Sequence, residues 1–203
     1  MLNENQVIEL RESLNNKGYC QVNNILHSQL KEYLQIGSHL LEEQSHIETQ
    51  NENSLIYIDS IPNKTYYSPS FGDILLAYFT KIYSEISGKN LVPSYSFFRK
   101  YFQGNDLKKH IDRPSCQYSA TIQINSSVDE SWDFFITDKQ NQKVECKTKV
   151  GDIIFYKGEE VEHWRETLKY EHSSHFFLHW VDKDNPNYKP YHFDGRKSLS
   201  SPK

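Results

Sequence analysis

The second half of the chain consists of short segments rich in β-branched and aromatic residues, and turns separate one segment from the next. No stretch of helical periodicity lies between these segments. Short strands at this spacing are typical of a β-sandwich or a jelly roll. We therefore predict a compact all-β unit with eight strands, over residues 94–102, 107–112, 117–125, 132–137, 144–146, 152–156, 161–165 and 174–181.

The part of the chain before residue 91 has a different, mostly helical pattern. Apolar residues recur there at three- and four-residue intervals, and a glycine follows two of the periodic stretches. The predicted elements are a helix through Val7, Leu10 and Leu14 that stops at Gly18, a strand over 19–26, a helix from Ser28 through Leu40, a loop over 46–70 with one strand at 55–58, and a helix over 72–87. We expect one domain over residues 1–203, with a helical lead-in and loop (1–90), a β core (91–183) and a surface tail (184–203).

Composition and charge exclude several classes of protein. The net charge is −4, and the basic residues are scattered among acids, which argues against a nucleic-acid or anionic-membrane binder. Three cysteines without a CxxC pair form neither a disulfide framework nor a zinc site. No apolar run resembles a signal peptide or a membrane span. We therefore expect a cytoplasmic protein that acts on a small-molecule or peptide substrate.

Two histidines and one aspartate are the best candidates for a metal site. His110 and Asp112 are two residues apart, so alternation along a strand directs both side chains to one face. His163 lies in the seventh predicted strand, which neighbours the second strand in a jelly roll. Two imidazoles and one carboxylate on one face of an ion suit non-haem Fe(II) and leave positions open for other ligands. We predict that these three residues bind a metal ion.

Several longer phrases carry a resemblance to a known family. They are LVPSYSFFRKYFQGNDLKKHIDRPSCQYSATIQIN (91–125), GDIIFYKGEEVEHWRETL (151–168), HFFLHWVD (175–182) and FDGRKSL (193–199). In these phrases the chain resembles the prolyl-4-hydroxylase-like bacterial and phage branch of the 2-oxoglutarate/Fe(II)-dependent oxygenases. The resemblance implies an α+β, mainly β fold, which is a double-stranded β-helix (a jelly roll, cupin-like) with N-terminal helices that buttress the larger sheet.

The resemblance also implies a reaction and its cofactors. Enzymes of this family use Fe(II), 2-oxoglutarate and O2, release succinate and CO2, and oxidise an unactivated C–H bond of the substrate. Related halogenases commonly have a small residue in place of the ligand carboxylate, whereas this chain retains Asp112. Hydroxylation is therefore the expected outcome.

The chain departs from the family pattern where 2-oxoglutarate is anchored. The resemblance implies a Lys or Arg on the eighth strand, but residues 171–180 read EHSSHFFLHW, and Ser174 occupies the corresponding place. Arg165 is the best substitute, because it lies two residues beyond His163 and alternation directs it to the same face. Arg99 on the first strand of the β core is a weaker candidate.

Other residues are candidates for contacts with the cosubstrate or for packing. Gln123 matches a position where the family often has a tyrosine that donates to the carboxylate, and an amide also donates. Tyr101 begins YxxGxxLxxH, which is similar to a family phrase, and is a candidate for contact with 2-oxoglutarate or substrate. We expect His172, His175 and His179 to face different sides of one strand.

Two other functions remain open from the sequence. A non-redox, zinc-dependent isomerase or hydrolase would use the same three ligands. A ligand-binding jelly roll without catalytic activity would have the same fold. The substrate is open as well, because prolyl residues, free amino acids, peptides and sugars are all compatible with the motifs.

Overall fold

The computed structural model of the chain describes residues 2–48, 64–199 and 201, with side chains for all of these except 42–48. The strand predicted at residues 55–58 lies outside the described residues. The helices are α1 (Glu4–Lys17), α2 (Ser28–Glu48) and α3 (Ser70–Ser87). The strands are β1 (Tyr19–Val22), β2 (Lys64–Tyr67), β3 (Leu91–Phe102), β4 (Leu107–His110), β5 (Tyr118–Ser126), β6 (Phe134–Thr137), β7 (Lys143–Cys146), β8 (Ile153–Tyr156), β9 (His163–Arg165) and β10 (His172–Asp182).

The strands form two antiparallel sheets. The larger has the order β1-β8-β5-β10-β3-β2, and the smaller has the order β4-β9-β6-β7. This arrangement confirms the predicted jelly roll with N-terminal helices. It also corrects one detail, because β2 lies in the stretch predicted to be a loop. Four residues without strong apolar alternation give little signal by themselves, and β2 is ordered by its pairing with β3 along one edge of the larger sheet.

The helices cover the outer face of the larger sheet, as expected. Helix α1 begins with a reciprocal pair of hydrogen bonds between Asn3 and Gln6 and ends at Gly18, whose φ of 85° suits glycine. Helix α3 buries Phe79 and Tyr83 against the sheet. A Cβ on Gly72 would lie 2.5 Å from the Ser96 hydroxyl, so this glycine permits the close approach of α3 to β3.

Strand β10 separates the helix side of the larger sheet from the interior between the two sheets. Its residues Phe176, Leu178 and Trp180 belong to the core shared with the helices. By alternation, His175 and His179 face the interior instead. The expectation that the histidines of this strand face different sides is therefore wrong for these two. Their even spacing gives both the same orientation.

The C-terminal segment is more closely attached than a surface tail. A 3₁₀ region spans Pro186–Gly195, with a break at His192–Asp194. The buried Arg196 then donates from Nε to the Phe193 carbonyl at 2.8 Å and from Nη2 to the Ser94 carbonyl at 3.2 Å, and Nη1 lies 3.8 Å from a carboxylate oxygen of Asp73. These contacts fasten the segment to β3 and α3. None of the helices in the described residues has the length and apolar character to cross a membrane.

Candidate active site

The side chains of His110, Asp112 and His163 converge at the end of the smaller sheet. His110 pairs with His163 across β4 and β9, and their ring centroids are 4.3 Å apart. The Asp112 Oδ1 atom lies 3.6 Å from Nε2 of each histidine. One ligand atom from each residue falls within 4.8 Å of the others. The structure thus brings the three predicted ligands into one group of the kind that suits a single metal ion.

Hydrogen bonds to the backbone orient both imidazoles. His110 Nδ1 lies 2.7 Å from the Lys108 carbonyl, and His163 Nδ1 lies 3.0 Å from the Val161 carbonyl. A carbonyl only accepts, so each Nδ1 carries the proton and donates. The Nε2 atom of each ring then faces the shared position beside Asp112, where it donates to the carboxylate when protonated and offers a lone pair to a metal ion when it is not, which is the arrangement that metal-binding histidines have. The donor set therefore fits a divalent metal ion.

Asp112 is held by its own set of contacts. Its Oδ2 accepts from the Ser119 hydroxyl at 2.9 Å, and its backbone N–H donates to the Gly158 carbonyl at 2.9 Å. Burial alone would raise the pKa of Asp112, but hydrogen bonding to His110 and His163 outweighs burial and holds the pKa well below its usual range. The carboxylate is therefore charged and available as a ligand.

Gly158 is needed because Asp112 lies directly against it. A Cβ at this position would be 2.3 Å from Asp112 Oδ2 and 2.3 Å from the Cys116 carbonyl oxygen. A larger residue would push the carboxylate out of place. The role of this glycine beside the carboxylate was not predicted from the sequence.

One side of the metal group is open to solvent. The side chain of His110 is 39% exposed, whereas that of His163 is 2% exposed and lies against the rings of Tyr156 and Phe134. Arg113 is half-exposed beside the group, lies over the Tyr95 ring, and has Nη2 3.7 Å from Asp194 Oδ2. A substrate would therefore approach from the side of Arg113.

A buried cation occupies the interior two residues further along β9. The Arg165 side chain is 2% exposed and lies over the rings of Trp132 and Phe134. Its Nη1 donates to the Trp132 carbonyl, and its Nη2 lies 3.5 Å from His175 Nδ1, while Nε has no partner among the described residues. Burial lowers the pKa of Arg165 to about 10, which leaves it charged near neutral pH.

No carboxylate of the described residues lies within ion-pair distance of Arg165. Acidic and basic side chains elsewhere in those residues form many pairs, but nearly all of them are on the surface. A buried charge without a counter-charge is costly, and such a group is usually compensated by an anion. The Arg165 site therefore has the properties of a binding site for a ligand's carboxylate.

Three polar residues of β5 and β10 form a hydrogen-bonded group that reaches Arg165 through His175. Gln123 and His175 are partners in the register of these strands. Ser173 Oγ lies 2.8 Å from His175 Nε2 and accepts from Gln123 Nε2 at 3.3 Å. Sequence reasoning did not predict roles for His175 and Ser173, because their hydrogen bonds to Arg165 and Gln123 join strands that are distant in the sequence.

The remaining predicted cosubstrate residues have different positions. Tyr101 is fully buried at the edge of this cluster, with its ring 4.7 Å from Trp132 and 6.0 Å from His175 between centroids. Arg99 lies over the Tyr101 ring, 4.3 Å from its centroid. Ser174 is buried, and alternation places it on the helix side of β10, away from Arg165. Contact of these residues with a cosubstrate stays a prediction.

Comparison with known proteins supports the fold. No protein-family model and no curated protein match the sequence. A prolyl-4-hydroxylase of Pseudomonas putida matches with a TM-score of 0.64 at 14% identity, over 86% of this chain and 99% of that one. The α-ketoglutarate-dependent carbocyclase SnoK from nogalamycin biosynthesis matches with 0.69 at 11% identity, over 100% and 94%. EctD from S. alaskensis with bound Fe matches with 0.69 at 11% identity, over 98% and 86%.

Identities this low establish the fold alone. The matches span nearly the whole length of each compared chain, so they include the helices and both sheets. The chain therefore has the fold of the non-haem, 2-oxoglutarate- and Fe(II)-dependent oxygenases.

Proposed function

We propose that the protein is an Fe(II)- and 2-oxoglutarate-dependent dioxygenase that hydroxylates an unactivated C–H bond. One observation carries the proposal: the metal group and the buried Arg165 lie on the same interior face, two residues apart along β9. Two residues of a strand span about 6.6 Å. A five-carbon 2-oxo dicarboxylate that chelates a metal with its 2-oxo acid end reaches about that far with its other carboxylate.

Each residue of the site has a separate part in this proposal. His110, Asp112 and His163 hold the metal ion, and Ser119 keeps the carboxylate of Asp112 in place. Arg165 binds the distal carboxylate of 2-oxoglutarate. When bound, the iron and 2-oxoglutarate together supply the oxidising power, with succinate and CO2 as products.

The protein also limits access to the reacting groups. The rings of Phe134 and Tyr156 cover His163 on one side, and Tyr95 lies against His179 with 4.6 Å between ring centroids. These buried rings leave the side of Arg113 as the approach. Exclusion of water from the remaining sides protects a reactive site from unproductive side reactions.

We propose a small molecule or a peptide as the substrate. Structures with this fold include a prolyl hydroxylase in complex with a peptide fragment and an epimerase in complex with nogalamycin RO, so the fold accommodates both kinds of substrate. The retained Asp112 supports hydroxylation. We also propose that residues 1–203 form one domain, and that the protein works in the cytoplasm, where three free buried cysteines are expected.

A product assay tests this function. The purified protein is incubated with Fe(II), 2-oxoglutarate and O2, with a panel of amino acids, peptides and sugars, and succinate is measured by chromatography. We expect succinate to form only when all three are present, and one member of the panel to increase it and gain an oxygen atom. Turnover that proceeds with Zn(II) in the absence of O2 would instead identify a non-redox metal enzyme. A protein that binds neither metal nor 2-oxoglutarate would be a non-catalytic jelly roll.

A further inference from the structure

The polar cluster around Arg165 contains a hydrogen-bond chain whose direction is fixed by chemistry. A guanidinium group only donates, so His175 Nδ1, 3.5 Å from Arg165 Nη2, must be the acceptor. Burial and the nearby charge of Arg165 hold the pKa of His175 well below its usual range, so the ring is neutral. A neutral imidazole with Nδ1 as acceptor carries its proton on Nε2.

The chain continues from His175 to Ser173. The protonated Nε2 donates to Ser173 Oγ at 2.8 Å, and Gln123 Nε2 donates to the same oxygen at 3.3 Å. These two bonds occupy both lone pairs of the hydroxyl oxygen. The hydroxyl hydrogen of Ser173 is then free to donate to a ligand, and both Arg165 Nε and Gln123 Oε1 are buried without a partner among the described residues.

The cluster is built into the core of the protein. Ser173 and His175 have 0% exposure, and Gln123 and Arg165 have 2%. The orphaned donors of Arg165 and Ser173 belong to one connected group of side chains. Buried donors without partners are costly unless a ligand accepts from them.

We infer that His175 is a positioning residue, which fixes the guanidinium of Arg165 with one ring nitrogen and the hydroxyl of Ser173 with the other so that both donate to the distal carboxylate of a 2-oxo dicarboxylic acid. This inference deepens the proposed function and depends on it. Arg165 with Ser173 and His175 takes the place of the strand-eight cation that the sequence lacks. His175 selects for the second carboxylate of the cosubstrate without contacting the metal.

A comparison of 2-oxoglutarate with 2-oxopentanoate isolates the contribution of the distal carboxylate to binding. 2-Oxopentanoate keeps the 2-oxo acid and the chain length of 2-oxoglutarate but ends in a methyl group. The affinity of each acid is measured by calorimetry on protein loaded with Zn(II), which has no redox chemistry, so no turnover is required. The ratio of the two affinities reports on the distal site alone.

The variants remove the two hydrogen bonds of His175, to Arg165 and to Ser173, together or one at a time. His175→Leu removes both ring nitrogens, His175→Asn keeps an amide near Nδ1, and His175→Gln keeps one near Nε2. Ser173→Ala removes the hydroxyl at the other end. Phe177→Leu, on the same face of β10, is the matched control because it alters the packing of the interior without removing a donor.

We expect His175→Leu and Ser173→Ala each to weaken 2-oxoglutarate binding by about tenfold or more, the loss typical of a hydrogen bond to a charged group. Binding of 2-oxopentanoate and of Zn(II) should stay unchanged. The affinity of the Asn and Gln variants for 2-oxoglutarate should lie between those of the wild type and His175→Leu. These two variants remain informative if His175→Leu folds poorly. The double variant should lose less than the product of the single losses, because both substitutions break one chain.

Three results would overturn the inference. A parallel loss of both acids in the His175 variants, as expected for Phe177→Leu, would mean that His175 only supports the fold. Unchanged selectivity in those variants would exclude any role for the ring. A wild-type protein that binds Zn(II) but does not prefer 2-oxoglutarate over 2-oxopentanoate would overturn the proposed function itself, and the inference with it.

Discussion

The metal group and the Arg165 cluster lie on one interior face but differ in how their polar atoms are satisfied. At the metal group, both histidine Nδ1 atoms and the Asp112 carboxylate have hydrogen-bond partners within the protein. At the Arg165 cluster, a buried positive charge has no carboxylate partner among the described residues, and Arg165 Nε and Gln123 Oε1 have no hydrogen-bond partner there. The three ligands of the first region already satisfy one another and the backbone, whereas the buried charge of the second region has no counter-charge among the described residues. This contrast supports the proposal that the second region binds the carboxylate of the organic cosubstrate.

The largest expected effect is the loss of metal binding when a ligand is removed. Asp112→Ala or His163→Ala should weaken Fe(II) or Co(II) binding by more than about 100-fold. Loss of a residue that only hydrogen-bonds to a metal ligand already lowers metal affinity by about tenfold to 100-fold. Calorimetry measures the affinity, and circular dichroism checks that the variants fold. His27→Asn, at an exposed histidine distant in sequence from the three ligands, is the control. Retained metal binding in either ligand variant would remove that residue from the site.

Gly158→Ala should lower metal affinity nearly as much as removal of a ligand, because the added methyl group would displace Asp112. The added methyl group would meet the carboxylate of Asp112 and the Cys116 carbonyl, so we expect metal affinity to fall by about 100-fold, similar to loss of ligand geometry. Gly88→Ala is the matched control. Gly88 has a φ of 67°, and a Cβ there would make only ordinary contacts with Arg11, so that variant should lower the melting temperature without changing metal affinity. Normal metal binding by Gly158→Ala would show that the carboxylate has room to move.

Arg165→Met is expected to affect the second region alone. Loss of two charge-assisted hydrogen bonds should weaken 2-oxoglutarate binding by about 100-fold, with metal affinity unchanged. Ligand-free stability should stay the same or rise, because an apolar side chain replaces a buried charge without a counter-charge. Calorimetry and thermal unfolding measure the two effects. Arg99→Met is the control, and a loss of 2-oxoglutarate binding in that variant instead would make Arg99 the anchor.

Ser119→Ala tests whether the Ser119 hydroxyl orients Asp112 at the metal group. The Ser119 hydroxyl bonds to Asp112 Oδ2 and also lies 2.9 Å from His179 Nδ1. We expect metal affinity to fall by about tenfold, the lower end of what is typical for residues that orient a ligand. Ser115→Ala, a buried neighbour that does not contact the carboxylate, should leave affinity unchanged. Equal effects of the two variants would mean that the hydroxyl does not orient Asp112.

The smallest effect concerns the pH dependence of stability. The folded-state pKa of His175 is depressed below its ordinary value of 6.5, so folding favours the neutral ring. Its contribution to stability is therefore present above pH 6.5 and is lost as the pH falls through the folded-state pKa. Urea unfolding of the wild type should show this loss, and His175→Gln should show a shallower dependence. Identical slopes would mean that His175 is not the group responsible.

The first region was largely accessible to sequence reasoning, whereas the second was accessible only in part. Alternation along one strand places His110 beside Asp112, and it also places Arg165 on the face of His163. His175 and Ser173 were not assigned, because their roles depend on contacts with Arg165 and Gln123 on other strands, which the pattern of β10 alone does not reveal. Gly158 is visible in the sequence, but the need for a glycine there depends on its contact with Asp112, which is distant in the sequence.

Outside the site, too, elements with a local pattern were predicted from the sequence, whereas elements that depend on distant contacts were not. The helices and most of the strands carry local periodicity, and they were predicted. Strand β2 is short and depends on pairing with β3, so its sequence gave too little signal. The attachment of the C-terminal segment through Arg196 also depends on partners far away in the sequence, Ser94 and Asp73.

The most direct test of the proposed function is an anaerobic titration of the metal-free protein with Fe(II) and then with 2-oxoglutarate. A chelate between the two gives a weak visible charge-transfer band. We expect the band to appear, to saturate with 2-oxoglutarate, and to be absent in His163→Ala. Tight binding of Fe(II) without a band on addition of 2-oxoglutarate would contradict the assignment of 2-oxoglutarate as cosubstrate.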